Sequence, residues 1–381
     1  MAAPHIPNLL SLRGKPRTRG MTKRHGSPID EAKSFQKKNE LVIQGTDNDA
    51  AVSRLSAVTL GYLKDPYASI FVKGPISRRL PIINRGTYGR TFALDTLISF
   101  FLSSNQSPCE KQTKQIISLG AGTDTRYFRL RDSNKDTKVI YHEFDFPAVS
   151  AAKRQIVLAH LEKLRDPKLE DFWSTQSVED KTKPMEWGFV RQGGDSEEIS
   201  YCFHPFDLRD FAGPNPPNSF VGLRTDLPTL ILSECCLCYM NITESKSVVK
   251  WFTNKIPSIG IILYEPIGAD DSFGQMMISN LAARNITMPS LAHYKSLSDQ
   301  RKRLLELGFN NPDPRNGCEA QDIENIWEKW VTPFEKQRVD GLEGLDEVEE
   351  WQMLARHYAI VWAWRSVADE WQNWRRSENL K

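Results

Sequence analysis

Long apolar runs are missing from this chain of 381 residues. The longest, Tyr358 to Trp364, holds seven, far short of the ~18 that a membrane-spanning helix needs, so no membrane span is expected. The amino terminus lacks the apolar stretch of a secretory signal, and the six cysteines (Cys109, Cys202, Cys235, Cys236, Cys238, Cys318) follow no regular spacing. A reducing compartment, cytosol or nucleus, is the expectation. No HExxH, no Ser–His–Asp order, no metal-spaced ligand set and no internal repeat is found. Neither sign of charge dominates: 50 Lys and Arg stand against 48 Asp and Glu. The small excess sits at one end. Residues 1–40 carry nine basic and three acidic side chains, leaving 41 against 45 and a mildly acidic remainder. No nucleic-acid partner is expected, because phosphate neutralisation needs a clustered positive face.

What is present is a core-sized apolar fraction, 40% of residues with 26% charged, enough for a folded chain. Residues 1–45, rich in Lys, Arg, Pro, Gly and Ser, are expected to form a disordered basic tail. Its Arg17, Arg19, Lys23 and Arg24 also suit an import or transit segment, against which Asp30 and Glu31 speak. One domain is expected over 46–381, opening with lid helices over 46–110. From about residue 50, strand-like runs alternate with amphipathic stretches, the rhythm of an α/β fold with a mainly parallel sheet and helices on both faces. Strands are expected at Gln115–Leu119, Lys138–Asp145, Ile199–Phe206, Thr229–Glu234, Gly260–Glu265 and His357–Trp364. Helices are expected at Ala51–Leu63, Arg90–Ser103, Ala148–Arg165, Ile242–Lys255, Gln275–Arg284 and Leu297–Leu307. Residues 166–198 and 211–228, with Asp, Lys, Gly and Pro throughout, read as surface insertions.

The most informative segment runs from Gln115 to Arg126. An apolar strand enters Gly120–Ala121–Gly122, where two glycines let backbone approach a ligand that any side chain would strike. Thr125 occupies the place of a third glycine, so this is not the dinucleotide fingerprint. Later strands end on acids: Glu143 and Asp145, then Asp207, then Glu234. Ligands of open α/β sheets gather at the carboxyl ends of strands, so these ends converge on one crevice. Glu143 and Asp145 lie two apart on one strand face, and the pattern does not say which of them meets a ligand. His142 and His204, beside the crevice, read as satisfied strand histidines. Cys235, Cys236 and Cys238 read as buried, inert thiols, since neighbours on a strand face opposite ways and no second pair completes a tetrahedron.

These segments resemble the leucine carboxyl methyltransferases, their fungal members in particular. The resemblance is carried by SLGAGTDTRYFRL (118–130), EFDFP (143–147), FDLRD (206–210), LSECCLCYM (232–240), FGQMMISNL (273–281) and ARHYAIVWAW (355–364), with AVTLGYLKDPY (57–67) and INRGTYGRT (83–91) upstream. It covers about residues 50–365 in motif order. It implies a Rossmann-like class I S-adenosylmethionine-dependent methyltransferase with an N-terminal helical lid. It also implies S-adenosylmethionine as cofactor and the C-terminal leucine of the protein phosphatase 2A catalytic subunit as acceptor, with regulation of phosphatase assembly as the role. Carried over by position, Gly120 and Gly122 would line the methionine part, Asp145 the ribose hydroxyls, Asp207 and Leu208 the adenine, Glu234 the methionine amino group and Arg90 its carboxylate. Arg54 stands where the family often has lysine, replacing a point charge by a planar fork. The helical spacing of Ser272–Leu281 reads as core packing beside the cleft, not as a dimer face, and a monomer is expected.

Esterifying a carboxylate needs no general base, because an α-carboxyl of pKa ~3.5 is already ionised at neutral pH. Position and exclusion of water are what such an enzyme must supply. Arg90 and Tyr239 are the candidates for orienting the acceptor carboxylate. Two rivals stay open: a related carboxyl methyltransferase of a modified tRNA base or small acid, and a non-catalytic cofactor-binding regulator of the phosphatase. The tRNA relatives carry a long propeller after the catalytic domain, for which this chain is expected to leave no room.

Overall fold

The structure is a computed structural model and describes residues 28–75, 77–103, 113–133, 138–166, 170–175, 185–191, 198–310, 312–367 and 370–376. The chain divides into two units, Met1–Leu41 and Val42–Lys381. The first is described only from Pro28, where helix α1, Pro28–Thr59, begins. The expected tail to residue 45 is therefore corrected from 28 onward; its residues 1–27 lie outside the described residues. No glycine or further proline interrupts Ile29 to Gln44, and Glu, Lys, Gln and Ala there favour helix without any apolar stripe. Among the described residues no helix is long and apolar enough to cross a membrane.

Helix α2, Pro81–Leu102, opens with proline in its first turn, where the missing N–H costs nothing. It buries Leu94, Leu97, Ile98 and Phe101. Its end is held by Lys114, whose buried Nζ donates to the carbonyls of Phe101 and Leu102; burial pulls this ammonium down to about 8.

Nine strands form one sheet: β1 Lys114–Leu119, β2 Val139–Asp145, β3 Glu170–Ser174, β4 Trp187–Arg191, β5 Glu198–Pro205, β6 Thr229–Glu234, β7 Ile259–Pro266, β8 Gly317–Asp322 and β9 Tyr358–Arg365. Their order is β3-β4-β5-β2-β1-β6-β7-β9-β8. The five central strands are mutually parallel, and antiparallel pairs extend both sides. β1 and β7 are buried along their whole length, as strands covered on both faces are, and so read as near-continuous apolar runs. All six expected strands are present within a residue or so. β3 and β4 correct the view of 166–198 as insertion alone, since they pair with each other and with β5 to extend the sheet. Five residues each, set among charges, they offered too short a pattern. β8, Gly-Cys-Glu-Ala-Gln-Asp, is an edge strand with few apolar residues. Residues 213–228 hold neither helix nor strand.

Helix α3, Arg126–Ser133, follows the glycine turn, and α4, Pro147–Ala159, follows β2. Helices cover both sheet faces, one core including α2 with Trp371 and Trp374, the other the helix Ile242–Thr253. The helix Ser272–Ala283 is a correction. Of its residues only Gly274 is buried, with Met276 52% and Ile278 39% exposed, so it does not pack in the core. Apolar spacing marks one helix face, but whether another element covers it depends on distant chain.

Candidate active site

At the carboxyl ends of β1, β2, β5 and β6 lies a cavity of about 360 Å³. All nine sequence-derived site residues line it: Arg54, Arg90, Gly120, Gly122, Asp145, Asp207, Leu208, Glu234 and Tyr239. Gly120 and Gly122 have φ of +61° and +51°, the left-handed region that side chains resist. A Cβ on Gly120 would stand 2.5 Å from Cys236 Sγ, and one on Gly122 would collide with the Asp47 carboxylate.

The two acids of β2 part company. Asp145 faces the cavity, its Oδ2 accepting from the Gly122 amide at 2.7 Å and its Oδ1 from Phe146 N at 2.7 Å. Burial pushes its carboxyl up to about 6, while the two amides pull the other way. Glu143 instead turns into the protein, accepting from Lys153 Nζ at 2.5 Å and Tyr201 Oη at 2.8 Å. Lys153 also donates to the Asp124 carbonyl at 2.8 Å, so Glu143 braces the glycine turn from behind. Its carboxyl is pushed up to about 7 by burial, against the pull of Lys153. Asp207 caps the short turn Leu208–Ala212, accepting from Arg209 N at 3.0 Å.

Charge is concentrated at the opposite wall. Glu234 lies 2.7 Å from Arg126 Nη1 and 3.5 Å from Arg90 Nε. Arg126 is buried and also holds Asp124 at 2.5 Å. Arg54 is tied to Asp65 at 2.5 Å, while its buried Nη2 has no hydrogen-bond partner, and neither has Arg90 Nε. Burial, then the charge of Arg129, lowers the Arg54 guanidinium from its ordinary value. Buried donors without acceptors beside a carboxylate suit a zwitterionic amino-acid group, which brings one charge of each sign. Tyr239 is a half-buried wall residue, not a core aromatic. Burial and then the thiol of Cys238 raise its phenol, so it remains a donor.

Several residues here were not foreseen. Asp47 on α1 accepts from both the backbone N and Oγ1 of Thr123 at 2.7 Å, fastening the lid to the glycine turn. Arg126 ends the glycine motif in the sequence, but its pairing with Glu234 and Asp124 emerges only in the fold. Cys235 and Cys238 stand three apart, a CxxC spacing. Cys235 has a φ of +47°, and it and Cys236 reach the cavity wall, while Cys238 is buried. Burial raises Cys236 and Cys238, which favours the neutral thiol in both.

A second cavity, of about 230 Å³, adjoins the first and shares Arg90 and Ala50 with it. Its walls are largely apolar, Ile83 from α2 with Tyr264, Ile323, Trp351, Leu354 and Tyr358, and Asp49, Ser53 and Thr87 add polar groups. The Arg90 guanidinium lies 5.5 Å from the Tyr264 ring centroid.

A parallel sheet with an antiparallel flank, a glycine turn after β1 and acids at successive strand ends define an S-adenosylmethionine-dependent methyltransferase of the Rossmann-like class. The profile of the leucine carboxyl methyltransferase family matches residues 43–253, and the chain belongs to that family. Leucine carboxyl methyltransferase 1 of Aspergillus fumigatus is 44% identical over 97% of this chain and 96% of its own. Human tRNA wybutosine-synthesizing protein 4 is 30% identical over 85% of this chain, which matches 44% of that longer protein. Among solved structures, magnesium protoporphyrin IX methyltransferase from Synechocystis aligns with a TM-score of 0.37 at 11% identity, over 79% of this chain and 93% of its own.

Proposed function

We propose that this chain methylates the C-terminal leucine carboxylate of the protein phosphatase 2A catalytic subunit, working as a monomer in the cytosol or nucleus. The observation that carries the reading is Arg90, which borders both the polar cavity and the apolar one. S-adenosylmethionine supplies an electrophilic methyl on a sulfonium when bound. Gly120 and Gly122 leave room for its methionine part, Asp145 accepts from the ribose hydroxyls, and Asp207 with Leu208 holds the adenine. Glu234 takes the amino group, and Arg54 and Arg90 take the carboxylate with donors that otherwise have no acceptor.

The apolar cavity takes the leucine side chain, and Arg90 and Tyr239 turn the acceptor carboxylate toward the first cavity. No residue needs to remove a proton, because the carboxylate arrives ionised. The protein's work is alignment and exclusion of water, worth up to ~7–11 kcal/mol of barrier in well-oriented systems. The product is an uncharged ester at the phosphatase terminus, which alters how partner subunits read that tail.

The test is to incubate the purified protein with methyl-labelled cofactor and the phosphatase subunit, intact or lacking its terminal leucine. Label on the intact subunit alone is expected. Label that survives removal of the leucine contradicts the acceptor, and cofactor binding without transfer favours a non-catalytic regulator.

A further inference from the structure

Behind the cofactor cavity, between β2 and β5, lies a buried polar chain that the proposed chemistry does not use. His142 and His204 each stand three residues before a cavity carboxylate, Asp145 and Asp207. His142 Nδ1 and His204 Nε2 are 2.9 Å apart, His142 Nε2 is 3.2 Å from Gln115 Oε1, and His204 Nδ1 is 2.6 Å from Glu186 Oε1.

The direction of every bond in this chain follows from Gln115. Its Nε2 donates to the Arg224 carbonyl at 2.9 Å, and its Oε1 accepts from the Arg224 amide at 2.9 Å, so the amide cannot be reversed. Oε1 is an acceptor, so His142 must carry its proton on Nε2 and accept at Nδ1. His204 must then donate from Nε2. A neutral His204 of that tautomer would turn the lone pair of Nδ1 toward Glu186 at 2.6 Å, two acceptors with nothing between them. One proton is therefore needed between Glu186 and His204. Burial lowers the His204 imidazole from its ordinary value, against the pull of the Glu186 carboxylate; the 2.6 Å contact still requires the proton. Among the described residues the titratable groups facing His204 are Glu186 ahead of β4, Cys202 on β5 and His142 on β2. Phe144 and Phe220 pack on its ring.

His142, Cys202 and His204 also have ligand atoms within 4.8 Å of one another, as a metal site would. Both nitrogens of His204 are already engaged, one with His142 and one with Glu186, which leaves that ring no free lone pair for an ion.

We propose that Glu186 and His204 hold one proton jointly, and that the chain Glu186–His204–His142–Gln115 is a positioning device. It ties the residue ahead of β4 to β5, β2 and β1 and sets the spacing of the strand ends that present Asp207 and Asp145 to the adenosine. The proposal rests on the reading of the cavity only for the roles of those two aspartates. When His204 gives up that proton as pH rises, the Glu186–His204 contact turns repulsive and cofactor affinity falls.

The experiment uses the full-length protein labelled with nitrogen-15 in its histidine rings. NMR at neutral pH is expected to find His142 protonated on Nε2 and an exchange-protected proton in the Glu186–His204 contact. Calorimetry with S-adenosylhomocysteine is expected to show affinity weakening as pH rises. Glu186→Gln, whose amide donates to His204 without an extra proton, should keep the neutral-pH affinity and lose the pH dependence. Glu186→Ala should weaken binding by ~threefold or more already at neutral pH. His142 protonated on Nδ1, an empty Glu186–His204 contact, zinc bound stoichiometrically in the purified protein, or wild type and Glu186→Ala binding alike at each pH would each overturn the proposal. Absence of cofactor binding in every form, with the tautomers as expected, would overturn the reading of the cavity and the positioning role while leaving the shared proton intact.

Discussion

The two cavities that meet at Arg90 are built in opposite ways. The polar one, closed from α1 and by Arg90, stands on strand ends and turns that lie in order along 118–239, braced by bonds such as Asp145 to Gly122 and Glu234 to Arg126. The apolar one is assembled from α2 and from residues as far along as Trp351 and Tyr358, with few polar groups to fix it. Backbone geometry and charge define the first, side-chain volume the second. Substitutions in the first, Tyr239 apart, should act on cofactor binding, those in the second on the acceptor, and the loss of the Arg90 charge on both.

The largest effect is expected at Gly120. Gly120→Val places a branched side chain at φ +61° against Cys236 Sγ. Affinity for S-adenosylhomocysteine, measured by calorimetry, should fall ~100-fold or more. Next comes Arg90→Met, which should lower kcat/KM by ~100-fold or more and raise KM for both substrates, since it removes a charge from each cavity. An effect confined to one substrate would break the idea of a shared residue. Leu354→Trp fills the apolar cavity and should raise acceptor KM by ~10-fold or more with cofactor Kd unchanged. If Kd rose equally, the two cavities would not be separable.

How legible each cavity was follows from the same contrast. Strand ends announce themselves locally, by a glycine after an apolar run or an acid closing one, and so nine residues could be assigned to one crevice from spacing and resemblance. Glu143 and Asp145 show the limit of that reading. Strand alternation puts both on one face, and Lys153 on the following helix and Tyr201 on β5 draw Glu143 away from the cavity. The second cavity had no local signature, because Ile83, Ile323 and Trp351 become neighbours only through folding. Asp47 was hidden for another reason: it lies between the tail expected to residue 45 and the helix expected from Ala51, where helix rests on propensity without an apolar stripe. The exposed helix Ser272–Ala283 failed in the opposite sense, with an apolar pattern of which Gly274 alone is buried among its residues.

Two smaller effects sharpen the contrast. Tyr239→Phe removes one donor at the cavity wall and should lower turnover by ~10-fold or less, leaving cofactor Kd nearly intact. Cofactor affinity should also weaken as pH falls through about 6, because burial holds the Asp145 carboxyl up to about 6 and its protonated form loses an acceptor for ribose. The sign is fixed: the ionised form binds, so affinity is full above that pH and declines below it. Asp145→Asn should be weaker throughout and flat across that range, whereas acceptor KM should follow neither change.

The most direct test of the central claim is a crystal structure of the protein with S-adenosylhomocysteine and a peptide ending in leucine. The account expects the adenosine between Asp145 and Asp207, the leucine side chain among Ile83, Ile323 and Trp351, and the terminal carboxylate at Arg90 facing the sulfur. A peptide seated outside the second cavity, or a carboxylate turned away from Arg90 and the sulfur, would contradict it.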